Sequence, residues 1–180
     1  MRQRSADIKL IQAFFKLLET KNYAKISVAE IVAEASLSRT TFYRYYTDVY
    51  DMYDKISVAI ADKIVAELAV VFSKNTISSA ELFELFCKKL ESQKEYIKLL
   101  SGENGGKEFF EIVIKRSFSS LNEYHSGLSE SEFFAIKFVL FSGIATYIKT
   151  LMDGTEFHSK YLEMYKKILL EAQEAGERNE

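Results

Sequence analysis

The sequence predicts an all-α chain, with an N-terminal three-helix helix-turn-helix domain over residues 1–48 and a C-terminal helical bundle over residues 49–180. Three observations carry this. The 180 residues contain no proline, and the seven glycines fall at a few places, 102–106, 127, 143, 154 and 176. Apolar residues recur at three- and four-residue spacing, the period of a helix with one buried face. The alternation of a half-buried strand, bounded by turn residues, is hard to find.

Residues 6–21 form the first expected helix. Leu10, Ala13, Phe14 and Leu17 share one face, with Ile11 and Leu18 beside them. Asn22 stands where the helix should stop, since asparagine tolerates the left-handed conformation of a C-terminal cap. The next helix opens with Ser27-Val28-Ala29-Glu30, a capping box in which the Ser27 side chain accepts from the Glu30 amide and the Glu30 carboxylate reaches back. It runs to about Glu34 or Ala35. After a tight turn at Ala35-Ser36-Leu37, Ser38 offers a second N-cap. The helix from Arg39 is again short and ends near Tyr46-Thr47. Asp48 caps a long helix over 49–72, and further helices are expected near 79–100, 106–126, 130–152 and 157–175. Short helix, tight turn and short helix on a supporting first helix make a helix-turn-helix, with Val28, Ile31, Ala35 and Leu37 facing inward.

Bulk properties narrow the function. Charged residues make up 28% of the chain and break its apolar runs, so no membrane span is expected. The N-terminus lacks the continuous apolar stretch of a secretory signal. The single cysteine, Cys87, forbids an intrachain disulfide and fits a cytoplasmic protein. There is no nucleophile–base pair, cofactor loop or metal cluster, so neither an enzyme nor a cofactor is expected. His125 and His158 lack ligand-spaced partners and suit helix ends better than a metal. Net charge is −2, but unevenly spread: residues 1–50 hold eight Lys/Arg against five Asp/Glu. A basic front on an acidic body suits a polyanionic partner, although an excess of this size also arises by chance.

The front also carries the stretch SLSRTTFYRYY, residues 36–46, with four Ser/Thr hydroxyls, three tyrosines and two arginines. With Ser38 as N-cap, Arg39, Thr40 and Thr41 form the first turn of an outward helix. Phe42 faces the core, Tyr46 packs beneath, and Tyr43, Arg44 and Tyr45 lie on or near the exposed side. Arginine grips guanine O6 and N7 with two hydrogen bonds, and threonine meets a thymine methyl or a base edge. Ser, Thr and Tyr hydroxyls suit phosphate oxygens, which fix register. The Ser27 end of the preceding helix is a further phosphate candidate. Arg2 and Arg4 read as an arm reaching backbone or minor groove. An aromatic seam between domains is the other use of such a segment.

Residues 8–56, in the order LIQAFFKLL, NY, ISVAEIVAEASLS, RTTFYRYY and DVYDMY, resemble the DNA-binding region of the TetR family of bacterial transcriptional regulators. The resemblance covers about a quarter of the chain. It implies base or near-base contacts from Arg39, Thr40 and Tyr43, and phosphate contacts from Ser27, Thr41 and Tyr45. Three positions depart from the family pattern: Asn22 and Ser36 stand where glycine is common, and Val49 where a phosphate-contacting lysine is common.

One such unit offers little interface, so two copies on a palindromic operator in double-stranded DNA are expected. The resemblance implies a homodimer built from the last two long helices. Seam candidates are Phe134, Phe138, Phe141, Ala145 and Ile148 on one and Tyr161, Tyr165 and Ile168 on the other, although ordinary core shows the same spacing. The resemblance also implies an effector-released repressor. Phe83, Phe86, Cys87, Phe110, Phe118 and Tyr147 are candidates for a pocket holding a small apolar or aromatic effector; a protein effector remains open. The long helix 49–72 is the expected lever between effector and DNA. A helical interaction module that keeps the fold with weak DNA binding is the alternative, favoured by Val49 and the acidic total.

Overall fold

The computed structural model describes residues 2–74, 79–124, 128–155 and 159–177. Every regular element among them is helical: α1 (Arg2–Leu18), a 3-10 turn (Tyr23–Lys25), α2 (Val28–Glu34), α3 (Arg39–Tyr43), α4 (Val49–Lys74), α5 (Ser79–Ser92), α6 (Lys94–Ser101), α7 (Glu108–Tyr124), α8 (Glu130–Met152) and α9 (Ser159–Glu177).

The chain divides into two compact units. The first holds Met1–Ala59 together with Leu99–Phe109, and the second holds Ile60–Lys98 with Phe110–Glu180. Sequence punctuation marks the start of α4 at Asp48, whose Oδ1 accepts from the Asp51 amide at 2.8 Å. Packing divides the chain later, within α4, because a continuous helix carries no local signal of a change in neighbours.

In the first unit α1 packs on α2 and α2 on α3. Leu10, Phe14, Leu18, Ile31, Phe42 and Met52 are fully buried. The Ser27 capping box is present, with both reciprocal hydrogen bonds. Helix α1 ends differently from the expectation at Asn22, and the left-handed position falls at the end of α2. Asn22 has φ −57° and caps the following 3-10 turn, its side chain accepting from the Ala24 amide. The left-handed residue is instead Ser36, at φ 53°. Its amide donates to Ala33 O at 3.1 Å and the Leu37 amide donates to Val32 O at 2.8 Å. Those two bonds close the helix end as a Schellman motif, which demands the left-handed residue that the tight turn uses.

In the second unit α8 packs on α9, and α5 packs on both. Gly143 lets the Phe83 ring approach α8: a Cβ there would stand 3.0 Å from ring carbons. A second capping box, Ser129 with Glu132, starts α8. The run expected as one helix over 79–100 is broken at Gln93. Its amide bonds Leu90 O, three residues back rather than four, and the run resumes as α6. The expectation of no membrane-length apolar run also needs amending, since α8 has the length and a mean hydropathy of 1.4. Its Ala135, Ile136, Val139, Leu140, Ile144 and Tyr147 are buried within the unit, as in the core helix of a globular bundle.

Candidate nucleic-acid interface

The Ser38 hydroxyl accepts from the Thr41 amide at 3.1 Å and shares a 2.9 Å hydrogen bond with the Thr41 hydroxyl. This fixes the first turn of α3 and leaves Thr41 half-buried. Phe42 is fully buried, so the helix is anchored by one side chain while Arg39, Thr40 and Tyr43 stand exposed around it. Tyr43 keeps 57% of its surface free. The helix stops at Tyr43, earlier than expected, with Arg44 as C-cap. Arg44 is exposed and its guanidinium lies over the half-buried Tyr45 ring at 5.7 Å. Arg39, Thr40, Tyr43 and Arg44 therefore form one open surface of cations, hydroxyls and an aromatic ring.

Beneath it the support is rigid. Tyr46 is buried, and its hydroxyl donates to Asp7 Oδ1 at 2.6 Å. Burial, reinforced by that carboxylate, raises the Tyr46 pKa, so the phenol stays protonated as a donor. Lys55 Nζ donates to Tyr45 O at 3.0 Å and pairs with Asp51 at 2.9 Å, tying the end of the motif to α4. Lys21 pairs with Glu30 at 2.6 Å, and this bond, with those from Ser27, holds the Glu30 carboxyl down to about 2. Ser27 is exposed, but its hydroxyl donates to Glu30 Oε2 at 2.7 Å, so its cap and any outside contact share one oxygen. Val49 is buried. A branched apolar side chain here closes the core where a lysine would have offered a charge.

Arg4 lies within α1 rather than in an arm ahead of it, and its side chain lies outside the described residues. His125 and His158 lie outside them too.

Residues 10–55 match the model of the bacterial regulatory proteins of the tetR family. The N-terminal domain is a TetR-family DNA-binding domain. In this domain the surface built by Arg39, Thr40, Tyr43 and Arg44 belongs to the second helix of the helix-turn-helix, the element that enters the major groove in such motifs. Over the full length, a solved structure described as the dihydroxyacetone kinase operon activator DhaS is similar, with a TM-score of 0.60 and 15% identity. The match covers 96% of each chain. At that identity the likeness concerns the fold. No curated protein sequence matches significantly.

The residues proposed from sequence to surround an effector separate into different environments. Phe83 and Phe86 are buried in the core of the second unit. Phe110 meets Phe141 edge-on at 5.6 Å, and Phe118 lies under the Lys137 ammonium. Cys87 and Tyr147 line a cleft of about 500 Å³, together with Glu84, Lys88, Glu91, Lys94, Thr150 and Leu162. That cleft sets the Tyr147 ring, Leu151 and Leu162 beside four charged side chains, Glu84, Lys88, Glu91 and Lys94. Tyr147 donates to Glu91 at 2.8 Å, and burial raises its pKa. Burial likewise pushes the Cys87 thiol up to about 12, which keeps it protonated and unreactive at neutral pH. Glu84 pairs with Lys88 at 3.1 Å and Glu91 with Lys94 at 2.8 Å, and both pairs line this cleft. Among the described residues no group of three His, Cys, Asp or Glu side chains could hold a metal ion.

The seam candidates divide by exposure. Phe134, Phe138 and Phe141 are 72%, 52% and 49% exposed on α8, a large apolar face for a water-facing surface. Ala145 and Ile148 continue it half-buried, and on α9 Tyr161 is exposed and Ile168 half-buried. Tyr165 is different: it is buried in its own unit, edge-on to Phe83 at 5.2 Å, with its hydroxyl 3.1 Å from Thr146. It offers no surface to a second copy.

Proposed function

We propose that the chain is a homodimeric transcriptional repressor of the TetR type, bound to a palindromic operator and released by an effector. The observation that carries this is the exposed group Arg39, Thr40, Tyr43 and Arg44 on a helix anchored by Phe42 and Tyr46 within a TetR-family domain. These residues would read bases, with Thr41, Tyr45, Ser27, Ser38 and Arg4 on or near the backbone. Two copies joined through the α8 stripe and the exposed face of α9 would present two recognition helices, one per half-site. The effector would occupy the second unit. The Cys87–Tyr147 cleft, with Tyr147, Leu151 and Leu162 beside paired charges, suits a small molecule with an apolar body and a polar group. Its binding would favour a spacing of the two recognition helices that no longer matches the groove repeat. Residence in the cytoplasm and absence of catalysis belong to this reading.

The test is selection of bound sequences from a random duplex pool with the purified chain at moderate salt, followed by a reporter behind the enriched sequence. An enriched palindrome and lowered reporter output support a repressor. Raised output would instead give the chain the sign of the DhaS neighbour, described as an operon activator. A folded dimer that enriches nothing would favour the interaction-module reading, for which buried Val49 speaks.

A further inference from the structure

The glycine-rich loop SGENGG, far from the helix-turn-helix in sequence, belongs to the DNA-binding unit. Its attachments are specific. Tyr53 of α4 is 3% exposed, and its hydroxyl donates to Leu100 O at 2.8 Å while accepting from the Gly106 amide at 3.1 Å. The Tyr53 ring stacks on Tyr23, with centroids 4.2 Å apart and planes 22° from parallel. The Tyr23 amide donates to Asn104 O at 2.8 Å, and Asn22 Nδ2 donates to Glu103 O at 3.2 Å. The loop can fold this tightly because residue 105 is glycine: a Cβ there would stand 2.1 Å from Leu100 O. Two backbone carbonyls of the loop and one tyrosine ring thus hold the turn Tyr23–Lys25.

That turn ends on Lys25, two residues before Ser27. Lys25 is exposed and makes no ion pair among the described residues, whereas Lys16, Lys21 and Lys55 of the same unit are paired with Glu34, Glu30 and Asp51. The start of α4 supplies no cation, because Val49 is buried there. An unpaired ammonium on a backbone fixed from several sides loses less freedom on meeting a phosphate than one on a loose loop. We propose that Lys25 is a phosphate-binding residue of the operator complex, positioned by the clasp between Tyr53 and the 100–106 loop. This rests on the DNA-binding reading above.

The experiment measures affinity of the full chain for its selected duplex across a salt series, at a temperature where melting curves show each variant folded. Each lost phosphate contact lowers the slope of log affinity against log salt by about 0.9, so a dimer of Lys25→Gln should lose about two. Its half-site preference should not change, since a phosphate contact carries no base information. Tyr53→Phe, which keeps the ring stack, and Gly105→Ala should each reduce the slope in the same direction. Combined with Lys25→Gln, neither should reduce it further, the signature of action through one residue. A full slope in Lys25→Gln with a binding parent overturns the assignment of Lys25. A reduced slope there, with Tyr53→Phe and Gly105→Ala at the parental value, overturns the clasp. A parent that binds no duplex overturns the DNA-binding reading, and this proposal with it.

Discussion

The Tyr46 hydroxyl donates a 2.6 Å hydrogen bond to the Asp7 carboxylate, across 39 residues of sequence, joining the end of the recognition segment to the first helix. Both the buried ring and this bond fix the base of α3. Tyr46→Phe removes only the hydroxyl and leaves the carboxylate without its donor. A hydrogen bond to a charged group contributes about 1.5–3 kcal/mol. Denaturant titration should show destabilisation of that order at neutral pH, and operator affinity should fall with it. An unchanged midpoint would mean that water replaces the phenol without loss.

Ser36 holds φ 53°, a conformation in which a Cβ crowds the backbone. Glycine removes that strain at the cost of a more flexible unfolded chain. Ser36→Gly should therefore stabilise the protein by about 0.5–1 kcal/mol, seen as a raised thermal midpoint. The side chain is exposed, so no packing is lost.

The contrast between Asn22 and Ser36 shows where sequence reading reached its limit. Both are small polar residues at helix ends, and both stand where relatives often carry glycine. Local chemistry alone could not say which takes the left-handed conformation, because the answer depends on where the next segment must go. The caps at Ser27 and Ser38, the buried Phe42 and the exposed Arg39 and Tyr43 were legible, since spacing within one or two turns decides them. The clasp of Tyr53 on Leu100 and Gly106 was not legible, since its partners lie about fifty residues apart and glycines at 105 and 106 read as a simple break. For the same reason Tyr165 read like Tyr161, although one is buried and the other exposed.

Arg39 and Tyr43 point away from the core, so their removal should cost binding and not folding. Arg39→Ala is expected to lose roughly 1–3 kcal/mol per half-site if the guanidinium grips a guanine, a tenfold or greater drop, with relaxed preference at that base. Tyr43→Ala should weaken binding as well. Circular dichroism melts and the oligomeric mass should match the parent for both. Parental affinity in both variants would move the recognition surface elsewhere.

Glu30 joins Lys21 and Ser27 at the start of α2, and its folded-state pKa is lowered to about 2. A lowered carboxyl pKa stabilises the fold fully above the unfolded value, near 4.5, and that contribution disappears as pH falls toward 2. Lys21→Met removes the first cause of the shift. Relative to the parent, the variant should be less stable at pH 6, and the gap should narrow between pH 4.5 and pH 2. A gap that is constant with pH would assign the loss to packing of the lysine stem instead.

Phe134, Phe138 and Phe141 repeat at four and three residues along α8, each about half exposed or more. Their neighbours one step round the helix, Ile136, Val139 and Leu140, already fill the core. Phe134 and Phe138, with the exposed side of Phe141 that its edge contact with Phe110 leaves open, are available to a second copy. Phe138→Glu places a charge in the middle of the stripe, where an apolar seam has no partner for it. Sedimentation should then report a monomer with parental helicity, and affinity for the full palindrome should collapse because each half-site binds alone. A variant that remains dimeric would exclude the α8 stripe as the seam. A variant that turns monomeric yet keeps full operator affinity would show that one domain suffices, contrary to the two-copy reading.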